Sequence, residues 1–523
     1  MEVAKVLIGG SWRAAQAEGT FQAENPATGD KLAQTFPIST WADCELALAS
    51  AADAAVKMRT VEPERIASFL EAYAAGIESA AAQIVETANK ETGLPITPRL
   101  KDVELPRTTN QLRQAAAAAR EESWKRATLD LERNIRSYYA PIGPVIVFGP
   151  NNFPFAFNGI SGGDFAAAIA AGNPVIAKAH PLHPETSRLL AEQALKAAEA
   201  TGMPSGCVQM IYHISNDNGL RLVSDARVGA VGFTGSRPGG MHLKCAAEDA
   251  GKPIYLEMSS INPVLFLPGA LRESGEALAK ELADSCLAGS GQFCTSPNLI
   301  LLWQSAEAEH LLASVAQTFS ERAPGPLLSS GGLRQMESGV AALTAAKAHL
   351  VTGGKAIDAP GYRYANTLLR VSGSEFLSKP QELQHEVFGN VTTAVMVADA
   401  DELIAILQHL EGNLTGTIYS AKSGADDAIY AQIEPLLRER VGRLLNDKMP
   451  TGVAVSPAMQ HGGPYPATSN AGFTSVGIPA ALTRFAVLQC YDGVRQERLP
   501  AVLRDTIANP KTWRSIGGAW VQG

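Results

Sequence analysis

The sequence predicts a doubly wound α/β domain followed by a second α/β domain. Between residues 42 and 233, short apolar runs alternate with segments whose apolar residues have helical spacing. Strand–helix–strand alternation with short loops is typical of a parallel sheet covered by helices. The composition then shifts near residues 257–268, and 523 residues exceed what one hydrophobic core usually serves. We therefore expect two or three domains.

The elements of the first domain follow in order from periodicity and from the residues that interrupt it. Helical spacing of apolar residues, ended by glycine or proline, predicts helices over residues 42–58, 62–92, 164–171 and 185–201. Short runs of β-branched and other apolar residues predict buried parallel strands over residues 145–148, 174–178, 208–212 and 229–233. From residue 451 the chain is rich in Gly, Pro, Ser and Thr, and no strong helix is predicted before residue 500. We expect this part to be an extended segment packed on the two domains.

Composition excludes several classes of function. A net charge of −8, without a long Lys/Arg run, argues against a nucleic-acid partner, because phosphate binding needs a basic surface. The apolar stretches are too short to span a bilayer, and no secretion signal is recognisable at the N-terminus. Six cysteines without a C-x-x-C pair disfavour a zinc site and a disulfide framework. We expect a cytoplasmic protein without a metal or a membrane partner.

Cys294 and Glu257 are the first candidate catalytic residues. Cys294 follows Gly291-Gln292-Phe293 and has no charged sequence neighbour, and Glu257 is a lone carboxylate in an otherwise uncharged stretch. A carboxylate is costly to bury unless it is paired or used, so the two could be a base and a nucleophile that the fold brings together. The alternative is that both are simply buried, because free cysteine is often a small core residue.

A glycine-rich loop after the strand at residues 229–233 is the second candidate site. Gly235, Ser236, Arg237 and Gly240 lie where this strand leads into a predicted helix. Glycines allow a pyrophosphate to approach the backbone, and a helix N-terminus supplies free N–H groups. Lys178, at the end of another strand, adds a cation at the edge where open α/β sheets bind ligands. The alternatives are an ordinary tight turn and a solvated lysine.

Two further turns carry polar side chains. Asn152, in Gly149-Pro150-Asn151-Asn152-Phe153-Pro154-Phe155, could donate its side-chain amide to a developing oxyanion, although two prolines and two asparagines also describe a plain turn. Glu386, before Val387-Phe388-Gly389, could accept hydrogen bonds from a ribose or could be a surface carboxylate.

Taken together and in this order, the motifs resemble those of the aldehyde dehydrogenase superfamily over nearly the whole chain. The matching segments are residues 7–12 with 25–29 (N-terminal signature), 150–154 (P-W-N-F-P), 233–236 (F-T-G-S), 257–263 (E-L-G-G-K-N-P), 291–294 (G-Q-x-C) and 386–389 (E-x-F-G). The resemblance implies an enzyme with a Rossmann-type cofactor domain, an α/β catalytic domain and a small bridging β element that mediates oligomerisation.

The resemblance also assigns roles. Cys294 would attack the aldehyde as thiolate, Asn152 would hold the oxyanion, and Glu257 would activate the water that releases the acid. The remaining positions would bind the cofactor: Lys178 the adenosine ribose, the turn from Gly235 and Ser236 to Gly240 the pyrophosphate, and Glu386, with Phe388 beside it, the nicotinamide ribose.

Departures from the family pattern bear on the cofactor. Asn151 replaces the tryptophan of P-W-N-F-P, so the cofactor pocket is shaped differently. Many NAD-using relatives have a glutamate that accepts the adenosine ribose hydroxyls, and here that position is Pro181. No carboxylate is left there to repel a 2′-phosphate, while His180 and Arg237 could attract one. We therefore expect NADP rather than NAD, with NAD still possible.

The run from 461 to 469, His-Gly-Gly-Pro-Tyr-Pro-Ala-Thr-Ser, together with residues 257–263 and 291–297, resembles the alpha-ketoglutarate semialdehyde (2,5-dioxopentanoate) dehydrogenases. This implies NADP-dependent oxidation of that semialdehyde to 2-oxoglutarate. An NADP-dependent fatty aldehyde dehydrogenase, a CoA-acylating dehydrogenase and a non-catalytic protein are the alternatives. Glu257 argues against CoA acylation, because an acyl-transfer enzyme should lack a water-activating base.

The domain boundaries expected from the sequence are approximate. The cofactor domain is predicted over residues 1–130 and 143–257, and the catalytic domain over 258–449. A bridging element at 131–142 is expected to pair with part of the segment 450–523 and to support a homodimer or homotetramer. The groups that would anchor a distal substrate carboxylate stay open, with residues 456–469 and 158–163 as candidates.

Overall fold

The computed structural model describes residues 2–523, which form four β-sheets with helices on the faces of the larger two. Through Glu257 the strands are β1 (Val6–Ile8), β2 (Ser11–Arg13), β3 (Ala17–Glu24), β4 (Lys31–Ser39), β5 (Thr128–Asp130), β6 (Ile135–Pro141), β7 (Val145–Phe148), β8 (Val175–Lys178), β9 (Val208–Ile211), β10 (His213–Ile214), β11 (Ala230–Thr234) and β12 (Ile254–Glu257). The helices of this part are α1 (Trp41–Met58), α2 (Pro63–Ser79), α3 (Ala81–Thr92), α4 (Leu105–Glu121), α5 (Gly163–Ala170), α6 (Pro184–Ala200), α7 (Asn216–Val223) and α8 (Arg237–Asp249).

The second part of the chain contains the remaining strands and helices. Its strands are β13 (Val264–Phe266), β14 (Leu299–Trp303), β15 (His349–Thr352), β16 (Thr367–Ser372), β17 (Val391–Val397), β18 (Asn413–Tyr419), β19 (Val441–Asn446), β20 (Ala486–Asp492), β21 (Trp513–Ile516) and β22 (Ala519–Gln522). Its helices are α9 (Pro268–Leu287), α10 (Ala306–Glu321), α11 (Ser330–Ala345), α12 (Gly373–Ser378), α13 (Pro380–Leu383), α14 (Ala400–His409) and α15 (Asp427–Arg440).

The first sheet has the strand order β12-β11-β7-β8-β9-β1-β2. The five strands from β12 to β9 are parallel, whereas β1 pairs antiparallel with both β9 and β2. All four strands predicted in this region occur in it. From β7 the chain continues to β8 and β9 on one side and later returns to β11 and β12 on the other. Open α/β sheets bind ligands at such a switch in strand order, here between β7 and β11.

One helix prediction was wrong. Residues 62–92 form two helices, α2 and α3, separated at Ala80, whose φ of −96° and ψ of 9° leave the helical region. An Ala-rich sequence supports a helix equally well on both sides of such a break, so the pattern did not reveal it. The break allows α2 to pack on both α4 and α6, whereas α3 packs on α6.

The second large sheet has the order β15-β16-β17-β14-β13-β18-β19, with only β15 antiparallel. Successive residues of its central strands point to opposite faces, as the pleat of a strand requires. Leu265 and Leu301 pack in one core cluster, while Phe266 and Leu302 pack in another. The sheet is therefore buried on both sides, which explains the continuous apolar runs of the sequence.

A five-stranded sheet of order β20-β6-β5-β21-β22 joins the middle of the chain to its C-terminal part. In it, β6 pairs antiparallel with β20 from Ile135↔Asp492 to Pro141↔Ala486. The remaining small sheet has the order β10-β4-β3. Between residues 451 and 479 the chain is extended, without helix or strand. The domain boundaries stay a prediction. Within residues 2–523, no helix combines the length and the apolarity that crossing a bilayer requires.

Candidate active site

Cys294 lies in a loop whose conformation requires glycine at position 291. The loop follows α9 and a short 3₁₀ turn, and Gly291 has a φ of +67°, in the left-handed region. A Cβ at Gly291 would lie 2.2 Å from the carbonyl oxygen of Gly389. This close approach brings the Cys294 loop against the Glu386–Gly389 turn, which lies about a hundred residues further along the chain.

Asn262 holds the same loop from the other side. Its Nδ2 donates to the carbonyl oxygens of Cys294 (2.9 Å) and Ser296 (3.0 Å), and its backbone adopts a φ of +48°. Asn262 belongs to the segment that also contains Glu257 at the end of β12. The amide contacts thus fix the Cys294 loop relative to the strand end that carries Glu257.

Glu257, Cys294 and His461 form a connected group. The Sγ of Cys294 lies 3.5 Å from His461 Nε2, and the same nitrogen lies 2.9 Å from Glu257 Oε1. Ser475 donates to the other carboxylate oxygen, Oε2, at 2.8 Å. His461 and Glu257 are both buried. A single ring nitrogen therefore contacts both groups: as N–H it donates to the Glu257 carboxylate, and only with the ring proton on Nδ1 can it accept the thiol proton.

Sequence reasoning missed His461 as a site residue. His461 marked the subgroup motif at 461–469, but nothing in a glycine- and proline-rich run indicated that it faces a thiol. An isolated histidine next to two glycines was the only signal that could have pointed to it.

Burial and charge set the protonation of the pair. Burial raises the pKa of the Cys294 thiol well above its ordinary value, and the nearby Glu257 carboxylate adds to this. The guanidinium groups of Arg107 and Arg443 act in the opposite direction. Burial also raises the pKa of Glu257, but His461 and Ser475 more than offset it, so that its pKa lies below the ordinary value. Glu257 is therefore ionised while Cys294 rests as a thiol.

The same three side chains are the group best placed to hold a metal ion. One ligand atom from each lies within 4.8 Å of the others. His461 Nε2 is already shared between the thiol and the carboxylate, however, so the arrangement is also that of a proton relay. The sequence predicts no metal at this site, and that stays a prediction.

Asn152 also faces the Cys294 loop. Its side chain is buried, and Nδ2 donates to the carbonyl oxygen of Gln292, two residues before Cys294, at 3.0 Å. Its own carbonyl oxygen accepts a hydrogen bond from Arg99 Nη2 at 3.0 Å. The amide is thus held rigidly beside the loop, as donation to an oxyanion requires.

Lys178 and His180 lie together at the end of β8. Burial lowers the pKa of Lys178 to about 8. Burial, together with His183 and Lys178, lowers the pKa of His180 well below its usual value, and the rings of His180 and His183 stack at 5.4 Å. Across residues 2–523, neither Lys178 nor His180 has an ion pair with a carboxylate.

The loop after β11 leads into α8 as the sequence suggested. Ser236 precedes the helix in an extended conformation and makes no side-chain cap, so it does not occupy the free N–H groups of the first turn. The Gly235 N–H donates to the carbonyl oxygen of Glu257 at 3.1 Å. A Cβ at Gly240 would lie 3.1 Å from the Phe233 ring, so glycine permits the close packing of α8.

Arg237 and Glu386 line a cleft of about 510 Å³ between the two large sheets. The Arg237 guanidinium pairs with Glu411 (Nη1 to Oε2, 3.2 Å). Arg237 begins α8, after β11, whereas Lys178 ends β8, so the two cations belong to different strand ends of the first sheet. Burial raises the pKa of Glu386 to about 7. Phe388, two residues later, is half-buried in the same turn.

These groups fit a dinucleotide. Lys178 ends β8, the uncapped helix N-terminus follows β11, and Arg237 in the first turn of that helix lines the same cleft as the Glu386 carboxylate. The carboxyl ends of the strands are where open α/β folds bind extended nucleotides.

Comparison with known proteins gives the same assignment. Residues 12–447 match the model of the aldehyde dehydrogenase family. The chain is 38% identical to alpha-ketoglutaric semialdehyde dehydrogenase 2 of Azospirillum brasilense, over 97% of each chain, and 36% identical to alpha-ketoglutaric semialdehyde dehydrogenase of Acinetobacter baylyi, over 96% of each. The structure of aldehyde dehydrogenase C of Pseudomonas syringae, complexed with NAD⁺ and octanal, superposes with a TM-score of 0.80 at 19% identity, covering 95% of this chain and 98% of that one. The chain belongs to the aldehyde dehydrogenase family and is an NAD(P)-dependent oxidoreductase that acts on aldehydes.

Proposed function

We propose that this enzyme oxidises alpha-ketoglutaric semialdehyde to 2-oxoglutarate with NADP. The observation that carries the chemistry is His461 Nε2, placed between the Cys294 thiol and the Glu257 carboxylate. Two relatives that bear the name of this activity and align over nearly their whole length support the substrate.

Cys294 is the proposed nucleophile. Its raised pKa means that the thiol needs a base, and we assign that role to His461 Nε2, which accepts the proton when the neutral ring carries its own proton on Nδ1. The proton that leaves Sγ turns the His461 ring into an imidazolium. The ionised Glu257 carboxylate beside it stabilises this positive charge. The thiolate adds to the aldehyde carbon to give a thiohemiacetal, whose oxyanion would be held by the Asn152 side-chain amide and the Cys294 backbone N–H.

When bound, the nicotinamide supplies the acceptor for the hydride that leaves the substrate carbon. The product on Cys294 is then a thioester. Glu257, ionised and hydrogen-bonded to Ser475, deprotonates the water that attacks this thioester and releases the acid. Lys178, Gly235, Ser236, Gly240, Glu386 and Phe388 are the residues proposed to bind the cofactor.

The preference for NADP is supported by the surroundings of Lys178. Pro181 occupies the position at which a glutamate would repel a 2′-phosphate, and the neighbouring ionisable groups, His180, His183 and His213, carry no negative charge. Arg237, paired with Glu411 in the cleft, contributes less to this argument than the sequence suggested. The proposal therefore rests on the Lys178 ammonium and on Pro181, which leaves no carboxylate at that position, because His180, with its lowered pKa, is neutral at pH 7.

The other proposed properties concern assembly and location. We propose a homodimer or homotetramer formed through the five-stranded sheet, because its edge strands expose apolar side chains, including Leu488 (59% exposed) and Trp520 (55%). Cytoplasmic location is supported by the free state of all six cysteines, which a reducing compartment maintains.

Steady-state kinetics test the function directly. The catalytic efficiency, kcat/KM, is measured for alpha-ketoglutaric semialdehyde, short uncharged aldehydes and long-chain aldehydes, each with NADP and with NAD. Higher kcat/KM for long-chain aldehydes would support the fatty aldehyde alternative, and a product that appears only with CoA would support acyl transfer. Cys294→Ala should abolish oxidation, whereas the exposed Cys245, changed to Ala, should leave it intact.

A further inference from the structure

Three guanidinium groups lie near the Cys294 loop, and two of them have hydrogen-bond partners. Arg99 forms an ion pair with Glu104 and donates to the Asn152 carbonyl oxygen. Arg443 donates to the carbonyl oxygens of Pro450 (2.8 Å) and Gly452 (3.2 Å), which ties β19 to the extended segment.

Arg107 is different. It lies in the first turn of α4, half-buried, and its Nε and Nη2 atoms are fully buried without a hydrogen-bond partner among residues 2–523. Glu104, which immediately precedes α4, already has partners for both of its carboxylate oxygens. One of its oxygens pairs with Arg99 and the other accepts the backbone N–H groups of Phe155 and Ala156. Apart from aromatic ring faces, nothing in the described chain meets these two N–H groups, and leaving them unpaired in a buried place is costly, which indicates that an anion completes the site.

The surroundings of Arg107 lead to the nucleophile. Its guanidinium carbon lies 4.8 Å from the centre of the Phe157 ring and 5.8 Å from that of Phe153. The Phe157 ring is in turn 5.8 Å from the ring of His461, whose Nε2 contacts Cys294. Cys294 and Arg107 are close enough for each charge to act on the other, since Arg107 opposes the rise in the thiol pKa. The cation therefore stands one aromatic ring away from the reacting group.

We propose that Arg107 binds the carboxylate at the far end of the substrate and selects short aldehydes that carry an acid group. A guanidinium offers two parallel N–H donors in the geometry of a carboxylate, and Nε and Nη2, the two free atoms, form such a pair. The aromatic rings of Phe153 and Phe157 would enclose the short carbon chain between the two ends. This inference rests on the proposed function, because it presumes a substrate with a distal carboxylate.

The test compares acidic and uncharged aldehydes in the wild type and in Arg107→Met. The substrates are alpha-ketoglutaric semialdehyde, succinic semialdehyde and pentanal. Truncating one partner of a desolvated charge pair is expected to lower kcat/KM for both acids by about thirtyfold or more, while pentanal changes by less than about threefold. Arg107→Lys, which keeps the charge but not the fork, should fall between the two. Glutarate, a dicarboxylate without a reactive group, should inhibit the wild type competitively and Arg107→Met much more weakly.

Arg113→Met is the matched control. Arg113 is on the same helix, is exposed, and pairs with Glu78 away from the site, so this variant should retain the preference for acids. Thermal unfolding and the rate of Cys294 alkylation show whether the fold and the nucleophile survive; if Arg107→Met does not fold, Arg107→Gln and Arg107→Lys carry the comparison. Equal losses for acids and pentanal, or no loss for the acids, would overturn the role of Arg107. A wild type whose kcat/KM is no higher for the acids than for pentanal would instead overturn the proposed function. The wild-type values are therefore measured first.

Discussion

His461 Nε2 lies 3.5 Å from Cys294 Sγ, and this contact joins two residues that are 167 positions apart in the sequence. The histidine ring is buried and is held in place by its own backbone N–H, which donates to Thr474 Oγ1 at 2.8 Å. Because Nε2 also contacts Glu257, proton transfer from the thiol produces opposite charges that are hydrogen-bonded to each other. The raised pKa of the resting thiol is thereby reconciled with a reactive thiolate.

Replacing His461 with Asn removes the acceptor for the thiol proton. Alkylation of Cys294 by iodoacetamide at neutral pH should slow by about tenfold or more, and the rate should rise only at higher pH, because a thiolate must then form without a neighbouring base. The rate is measured across the pH range in both proteins. His409→Asn, at an exposed position, serves as the control. Unchanged alkylation in the His461 variant would contradict the relay.

Replacing Glu257 with Gln should separate acylation from deacylation. The variant should form the thioester in a rapid first turnover and then release acid at least about a hundredfold more slowly, because no ionised carboxylate deprotonates the water. The pKa of Glu257 in the wild type lies below its ordinary value, so deacylation should stay constant from neutral pH to about pH 5 and fall only below it. Rapid-mixing kinetics and intact-protein mass measure both effects.

The exposed Glu276, changed to Gln, is the control for this experiment. A Glu257→Gln enzyme that shows no first-turnover burst and no bound acyl group would indicate that Glu257 acts before the thioester forms.

Introducing a carboxylate beside Lys178 should change the cofactor preference. Pro181→Glu is expected to lower kcat/KM for NADP by about tenfold or more, because the new charge repels a 2′-phosphate, and to lower the value for NAD much less. Ala200→Glu, at the exposed end of α6, is the matched control. If NADP and NAD respond equally to Pro181→Glu, the 2′-phosphate binds elsewhere.

The affinity for NADP should depend on pH. The pKa of Lys178 is lowered to about 8, so its positive charge is present at pH 7 and is lost as the pH rises through 8 to 9. An anion binds the charged form, hence the Kd for NADP should increase over this interval while the Kd for NAD changes less. Fluorescence titration with each cofactor measures both constants. In Lys178→Met the difference between the two profiles should disappear.

Gly291→Ala should destabilise the enzyme more than an equivalent change elsewhere. The alanine Cβ would lie 2.2 Å from the Gly389 carbonyl oxygen, in addition to the cost of a left-handed residue, about 1 kcal/mol. Gly251→Ala isolates that second cost, because its φ is +69° and nothing lies within 4 Å of the new atom. Denaturant unfolding should show that Gly291→Ala loses several kcal/mol more free energy of unfolding than Gly251→Ala does. Equal losses would show that the two loops can separate.

Local pattern was sufficient for most of the first domain. The strands at residues 145–148 and 174–178 are short and mostly apolar because both faces of the sheet are covered, and their short apolar runs therefore located them. The helix break at Ala80 could not be located, since it is decided by packing, α2 against both α4 and α6 and α3 against α6, rather than by the intrinsic preference of alanine.

The sequence by itself determined the fold class and the family, because ordered motifs such as those around Glu257, Cys294 and Asn152 each occupy a strand end or a turn that local chemistry defines. Only the tertiary structure decided which distant groups meet them: His461 from the extended C-terminal segment, and Arg107 from the first turn of α4. The physical reason is that proton transfer and charge pairing act over a few ångströms in space, and no local spacing in the chain encodes such a distance.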